Sequence, residues 1–407
     1  MLRNRSLAGL VSAELVSLTG SAMTFVALPW FVLAITGSTA KMGWVLAAEL
    51  LPVAIVGIPA GSLIAKLGAK RTMLISDAGR GALMFVIPVL HRTGHLSFGA
   101  LLGVTFAVGV FTAPYFASSR IVIPEVVGED EAAVAGVNAV LAGAQQITQI
   151  VGPVLAGVLI AATTPATVLV VDACSYVLSF LIIASVVRAG RRAETAEDSG
   201  GLFAGLRFVV GDHLLGPIVV AACVLNFVVL GIELGIQGLA FFRYDGNAHV
   251  LGYLFGAFGV GALAGALAAQ QLAQKVDLLR LAAVALVVMP LPLFLLALPM
   301  PWAAAVFVVG AFAFFTPLVN APIIGVLTVR TPEALRAKVM TSVLTLATVA
   351  GPLGFLAAGE SLRYVSLGVF FLVLSALVTV SSWAFGAVLF RQTAADPAST
   401  VDVRTAG

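Results

Sequence analysis

The chain has 407 residues, of which 60% are hydrophobic and only 10% charged. Its mean hydropathy of +1.10 is more than a soluble core can absorb, which excludes a water-soluble globular protein and points to a polytopic membrane protein. The net charge is +3, and no basic patch with interleaved aromatics occurs, so no nucleic-acid partner is expected.

At the amino terminus Arg3 and Arg5 precede an apolar run, and Gly20-Ser21-Ala22 has the look of a cleavage site. The run continues to Ile35 and contains Glu14, so it reads as an uncleaved first span. Counting that run at 7–35, spans of membrane length follow at 42–65, 72–90, 98–119, 134–160, 166–187, 214–241, 249–273, 279–299, 302–327, 339–359 and 363–390, each near the ~20 residues a bilayer needs. The fold class is therefore an all-α membrane protein with twelve transmembrane helices.

The segments alternate in charge. One side of the membrane receives Arg3, Arg5, Lys66, Lys70, Arg71, Arg120, Arg188, Arg191, Arg192, Arg207, Lys275, Arg280, Arg330, Arg336, Lys338, Arg391 and Arg404. The other side receives Lys41, Arg92, Arg243 and Arg363. This bias predicts a cell-membrane protein with both termini in the cytoplasm. The polar stretch from Arg188 to Gly201 reads as a linker, and Leu202 to Val210 as a short helix on the inner face. The organisation is thus an amino-terminal six-helix bundle (1–187), a cytoplasmic linker (188–212), a second six-helix bundle (213–390) and a tail (391–407).

The two bundles repeat each other. Gly57, Ala60 and Gly61 align with Gly261, Ala264 and Gly265, Gly152-Pro153 with Gly351-Pro352, Thr112-Ala-Pro114 with Thr316-Pro317, and Pro124-Glu125 with Pro332-Glu333. A parallel repeat of this kind places a substrate site between the halves near the midplane. Gly57 and Gly61 lie four apart and offer a face for close helix contact.

The turn between the second and third spans carries Gly61, Lys66, Gly68, Lys70 and Arg71. That spacing resembles the signature loop of the major facilitator superfamily, with Ala65 where the family usually has Asp and Ala69 where it often has Arg. The resemblance implies two pseudo-symmetric six-helix bundles. Ala27-Leu28-Pro29, Pro52, Asp77-x-x-Arg80, Pro124-Glu125, Asn138, Gly152-Pro153, Asp172-Ala173-x-Ser175 and Thr331-Pro332-Glu333-x-x-Arg336 are similar to the drug:proton antiporter-3 branch. That branch includes macrolide-efflux proteins, an enterobactin exporter and a mycobacterial multidrug pump. Glu14 and Glu49 depart from it, where it would have Gln and Arg.

Charged groups in hydrocarbon are costly, so each is a candidate site. They are Glu14, Glu49, Asp77, Arg80, Asp172 and Glu233. Asp77 and Arg80 are three apart on one helix face and are expected to pair as a structural clamp. The other carboxylates have no evident cationic partner, and such a group either takes up a proton or finds neutral donors. The resemblance puts the first, fourth, seventh and tenth helices around the cavity. Glu14 and Glu233, with Glu49 beside them, are then proton-coupling candidates, the competing role being hydrogen-bonded packing. Asp172 is read as a helix–helix bond. Asn226, Asn320, Gln145, Gln149, Tyr115 and Phe116 are candidates for the substrate cavity, with Phe111, Phe312, Phe314 and Phe315 as an apolar wall. Gly152-Pro153 and Gly351-Pro352 read as bends that let helices rock.

No phosphate-binding loop, helix-borne His pair or nucleophile elbow occurs. The histidines at 91, 95, 213 and 249 fall in loops or at helix ends, and Cys174 and Cys223 show no metal spacing. No enzyme activity, metal or cofactor is expected, and a proton gradient is the expected energy source. The first span lacks the Glu-x-x-Glu-Arg of peptide symporters, and the fourth lacks an internal arginine of the sugar-carrier kind. These absences and the resemblance imply a monomeric exporter of small amphipathic molecules by proton antiport. A dedicated siderophore or metabolite exporter is one alternative, and a non-transporting sensor or scaffold on the same fold another.

Overall fold

The computed structural model describes residues 5–127, 130–187, 215–272, 275–276, 278–331 and 333–395. The expected linker, the short helix at 202–210 and the end of the tail lie outside the described residues. The first half holds α1 (Arg5–Thr36), α2 (Thr39–Leu67), α3 (Ala69–Arg92), α4 (Phe98–Val127), α5 (Glu131–Ala162) and α6 (Pro165–Val186). The second holds α7 (Leu215–Gly238), α8 (Ala248–Leu272), α9 (Leu278–Val288), α10 (Pro290–Leu296), α11 (Trp302–Arg330), α12 (Glu333–Tyr364) and α13 (Leu367–Ala395). A π-helical turn, Leu239–Arg243, ends α7.

Helices are what hydrocarbon demands, because each backbone group must be bonded within its own segment. Among the described residues, eight helices are long and apolar enough to cross a membrane by length and composition, and shorter apolar helices cover Arg280–Leu296 and Leu367–Trp383. Local signals set several ends. Ser38 accepts from the Lys41 amide at the start of α2, Asp130 accepts from the Ala132 amide at the start of α5, and Thr164 caps α6 ahead of Pro165. Gly68, with φ 85°, closes α2 and opens α3, a turn that glycine makes without Cβ strain.

Two expectations change here. The ninth span is broken at Met289, where Pro290 and Pro292 remove backbone donors. The fourth runs on to Val127, eight residues past its apolar run. Arg120 therefore lies inside α4, with its side chain exposed towards the end of that helix.

Within the first half α1 packs on α5 and α6, and α3 packs on α4 and α6; within the second, α7 packs on α12 and α13, and α8 on α11. Two helix pairs, α2 with α12 and α5 with α8, make most of the seam between halves. Call the end with the Lys66–Arg71 turn the basic end, and the opposite one the distal end. The described side-chain contacts across the seam lie in its distal part. Phe25 of α1 meets Phe255 of α8 and Phe355 of α12, each at 6.4 Å, and Trp30 meets Phe241 at 5.3 Å. Thr39 donates to the Gly359 carbonyl at 2.9 Å. Gly43 has no room for a Cβ against Phe355 and Gly359, nor Gly157 against Gly252. At the basic end, by contrast, a separate buried cluster including Leu10, Ile64, Met73, Tyr115, Val122 and Ile183 is drawn from α1–α6 alone.

Candidate transport site and its polar surroundings

The interior of the first half holds a polar network. Arg80 bonds Asp77 at 2.6 Å, and both side chains are nearly inaccessible. The i, i+3 spacing makes this pair, but other helices complete it. Tyr115 of α4 and Tyr176 of α6 cover the guanidinium, with ring centroids at 4.1 and 4.4 Å, so its charge is held by aromatic faces as well as by Asp77. Ser179 of α6 donates to the second Asp77 oxygen at 2.7 Å. Two turns along α6 from Ser179, Asp172 accepts from Thr24 of α1 at 2.6 Å and from Ser175 at 3.1 Å. Tyr176 shares a hydrogen bond with Ser21 of α1 at 2.9 Å. Glu49 of α2 is half-buried and faces the same network, with Asp172 as its charged neighbour. Asp77, Arg80 and Asp172 thus tie α1, α3, α4 and α6 together.

Glu14 is buried on α1, and its Oε1 has no partner among the described residues. Ser119 and Arg120 of α4 are its polar neighbours. Arg120 is exposed and donates to Asn138 of α5 at 2.7 Å. Among the described residues no ion pair joins Arg120 to Glu14, although the extension of α4 makes it a charged neighbour.

Glu233 stands on α7 with a buried, unpartnered Oε2, and one turn later Gln237 is fully buried with neither amide atom bonded among the described residues. Asn226, half-buried, starts the same stripe beside Gly351 of α12. Of the membrane carboxylates, Glu14 and Glu233 are the two that carry such an oxygen. Asp77 and Asp172 have donors on both oxygens.

Several expected positions move. Tyr115 does not line a cavity; it is buried on Arg80. Phe312 is also buried and packs on Phe258 of α8, and Phe111 packs on Gly79 of α3. Phe116, Gln145, Gln149 and Asn320 are exposed, with the Gln149 backbone at the seam beside Gly259. Gly61 is not a close-contact site, since a Cβ there would meet open space, whereas its repeat partner Gly265 presses on the α11 backbone at Phe314, as Gly261 does at Gly310. Gly152 packs against Ala22, and Gly351 against Leu230; each stands beside a proline within its helix, Pro153 in α5 and Pro352 in α12. Lys70 is tied to α6 of its own half. Its ammonium bonds the carbonyls of Ala184, at 3.2 Å, and Val187 at the end of α6, while Lys66 and Arg71 are exposed. Gln237, Tyr176 and Thr24 were not singled out by sequence reasoning. Gln237 had a signal available, as a polar residue one turn from Glu233.

A family described as transmembrane secretion effectors, of the major facilitator type, matches residues 1–360. The multidrug efflux pump Tap of Mycolicibacterium fortuitum is 29% identical over 383 residues, covering 89% of this chain and 90% of that protein. Tap of Mycobacterium tuberculosis is 28% identical over 380 residues, covering 89% and 88%. Among solved structures, a variant of the nucleoside transporter NupG superposes with a TM-score of 0.80 at 12% identity, covering 94% of this chain and 99% of that one. A bacterial homologue of the lysosomal transporter Spinster, inward-facing, gives 0.67 at 14% identity, covering 94% and 97%. These two likenesses show the fold. The family match and the helical architecture make this a multi-pass membrane transporter of small molecules rather than an enzyme, and the chain belongs to the transmembrane secretion effector family of major facilitator proteins.

Proposed function

We propose that the protein exports small amphipathic molecules, drugs or secondary metabolites, from the cytoplasm by proton antiport with alternating access. The observation that carries the substrate class is the likeness to the multidrug pump Tap across about nine-tenths of both chains. In this reading the basic end faces the cytoplasm, both termini lie there, and the protein works as a monomer. Residues 1–187 and 213–390 are the two rocking bodies, joined by 188–212. The seam contacts gathered at the distal end then describe a state closed to the outside.

Coupling is assigned to Glu14 and Glu233. Both have a buried oxygen that no described donor reaches, and a carboxylate so placed is free to exchange a proton. They sit at different depths on helices from opposite halves, so rocking offers one to each side in turn. Inside-out vesicles with an acid interior test this against macrolides, tetracyclines and siderophores. Wild-type vesicles accumulate at least one compound uphill. Glu14→Gln and Glu233→Gln abolish that accumulation but keep substrate exchange. An undiminished response to the pH difference in both variants would falsify the coupling. A tag at Asn247 that reports from the cytoplasm would sink the orientation.

A further inference from the structure

The stripe on α7 has a chemistry that narrows the ligand. Gly231 faces Ala358 of α12 and Leu374 of α13, and Gly235 faces Phe370 and Phe371 of α13. Glu233 is two residues from both glycines, hence on the opposite side of the helix. Gln237 is one turn further along that same side. The pair therefore faces away from α13 and from the contact that Gly231 makes with α12. Beyond it, Phe241 meets Trp30 of α1, and Phe25 of α1 closes on Phe255 and Phe355. The pair thus lies below an aromatic closure.

Buried polar groups in a native protein are almost always bonded, and an exception calls for a reason. Here one carboxylate oxygen and both atoms of one amide are exceptions on adjacent turns. The π-helical turn Leu239–Arg243 follows at once, and such turns recur at functional sites. What would satisfy the three atoms is defined by what they are. The Glu233 oxygen accepts, the Gln237 oxygen accepts, and the Gln237 nitrogen donates. A lone cation would satisfy the carboxylate but leave the amide nitrogen idle. A neutral ether would do the reverse.

We propose that Glu233 and Gln237 form a recognition site for an amphiphile bearing an amino alcohol, the ammonium donating to Glu233 and the hydroxyl both donating to and accepting from Gln237. This rests on the export reading and deepens it. The carboxylate that carries the proton there is the one the ammonium occupies, so proton and substrate exclude each other. Gln237 is the specificity residue, because it separates an amino alcohol from a plain organic cation.

The test uses the full chain in nanodiscs with two probes followed by calorimetry. Propranolol carries an aromatic body, a secondary amine and an adjacent hydroxyl. Tetraphenylphosphonium is a cation with no hydrogen-bonding group. Gln237→Leu is expected to weaken propranolol about tenfold, a loss of roughly one hydrogen-bonded contact, and to leave tetraphenylphosphonium unchanged. Glu233→Gln weakens both. The empty Gln237→Leu protein melts no lower than wild type, because an unpaired buried amide has been replaced by an apolar group. A lower melting point marks a structural role for Gln237 and overturns the proposal. So does equal weakening of both probes by Gln237→Leu, unchanged propranolol binding, or a wild type that binds neither probe. Vesicle transport separates the two readings. Uphill transport of some compound with propranolol indifferent to Gln237 leaves export standing and removes this site. The expected binding pattern with no compound moved uphill does the opposite.

Discussion

The α3–α6 network of the first half and the α7 stripe of the second treat buried polarity differently, although the first half also holds buried atoms unbonded among the described residues at Glu14, Arg80 and Ser118. In the first, the charged groups of α3 and α6 are enclosed by partners from other helices, with Arg80 between two tyrosines and both acids bonded at each oxygen. In the second, the buried polar atoms of Glu233 and Gln237 have no partners among the described residues. A satisfied network fixes one arrangement of helices, since any shift breaks several bonds together. Unsatisfied groups fix nothing until something binds. The α3–α6 network is thus held by several helices at once, whereas the α7 stripe is not held by any described donor or acceptor. The glycines repeat the contrast in reverse, with Gly261 and Gly265 tightly packed and Gly61 facing open space.

The largest effect expected from breaking this contrast is at Arg80. Replacing it by Met strands Asp77 in the bundle and removes the contact to both rings, a destabilisation of about 3–5 kcal/mol for a broken buried pair. Thermal unfolding in lipid checks it, and Asp77→Asn combined with Arg80→Met should cost less than the two single changes added together. At the seam, Gly43→Val forces a side chain onto the Phe355 carbonyl and Gly359. Overpacking of this kind costs about 1–3 kcal/mol. It falls on the distal-closed state alone, so spin labels across the distal end should report a larger open population. An unchanged distance distribution would mean the seam is not the gate.

Smaller effects sharpen the same picture. Thr24→Val takes one donor from Asp172 and should lower stability by about 1.5 kcal/mol, the worth of a hydrogen bond to a charged group. A loss of transport without a loss of stability would instead move Asp172 from packing into the mechanism. Lys70→Met removes a cation from the carbonyl end of α6. The expected cost is under about 1 kcal/mol, with transport retained. Loss of transport in that variant would show that Lys70 does more than cap α6.

Much of the framework is legible along the chain. The Asp77–Arg80 pair is legible because residues three apart on a helix are neighbours whatever the helix packs against. The basic turn at Lys66–Arg71 and the cap at Gly68 are legible for the same local reason. The role of Asp172 followed from the resemblance, but its partner Thr24 did not, since 148 residues separate them. Tyr115 looked like a cavity aromatic because nothing in its own helix shows that Arg80 lies across from it. The apolar run of α4 ended early because hydropathy stops at a charge, and a helix does not.

By itself the sequence determined a membrane protein of apolar helices, their charge bias, their repeat and the short list of intramembrane charges, because length, hydropathy and local spacing are properties of a segment. Only the tertiary structure decided which carboxylates are satisfied and which are not. A hydrogen-bond partner is supplied by another helix at a particular depth and rotation, and those are set by packing, as Thr24 against Asp172 and the Gln237 amide, unbonded among the described residues, both illustrate.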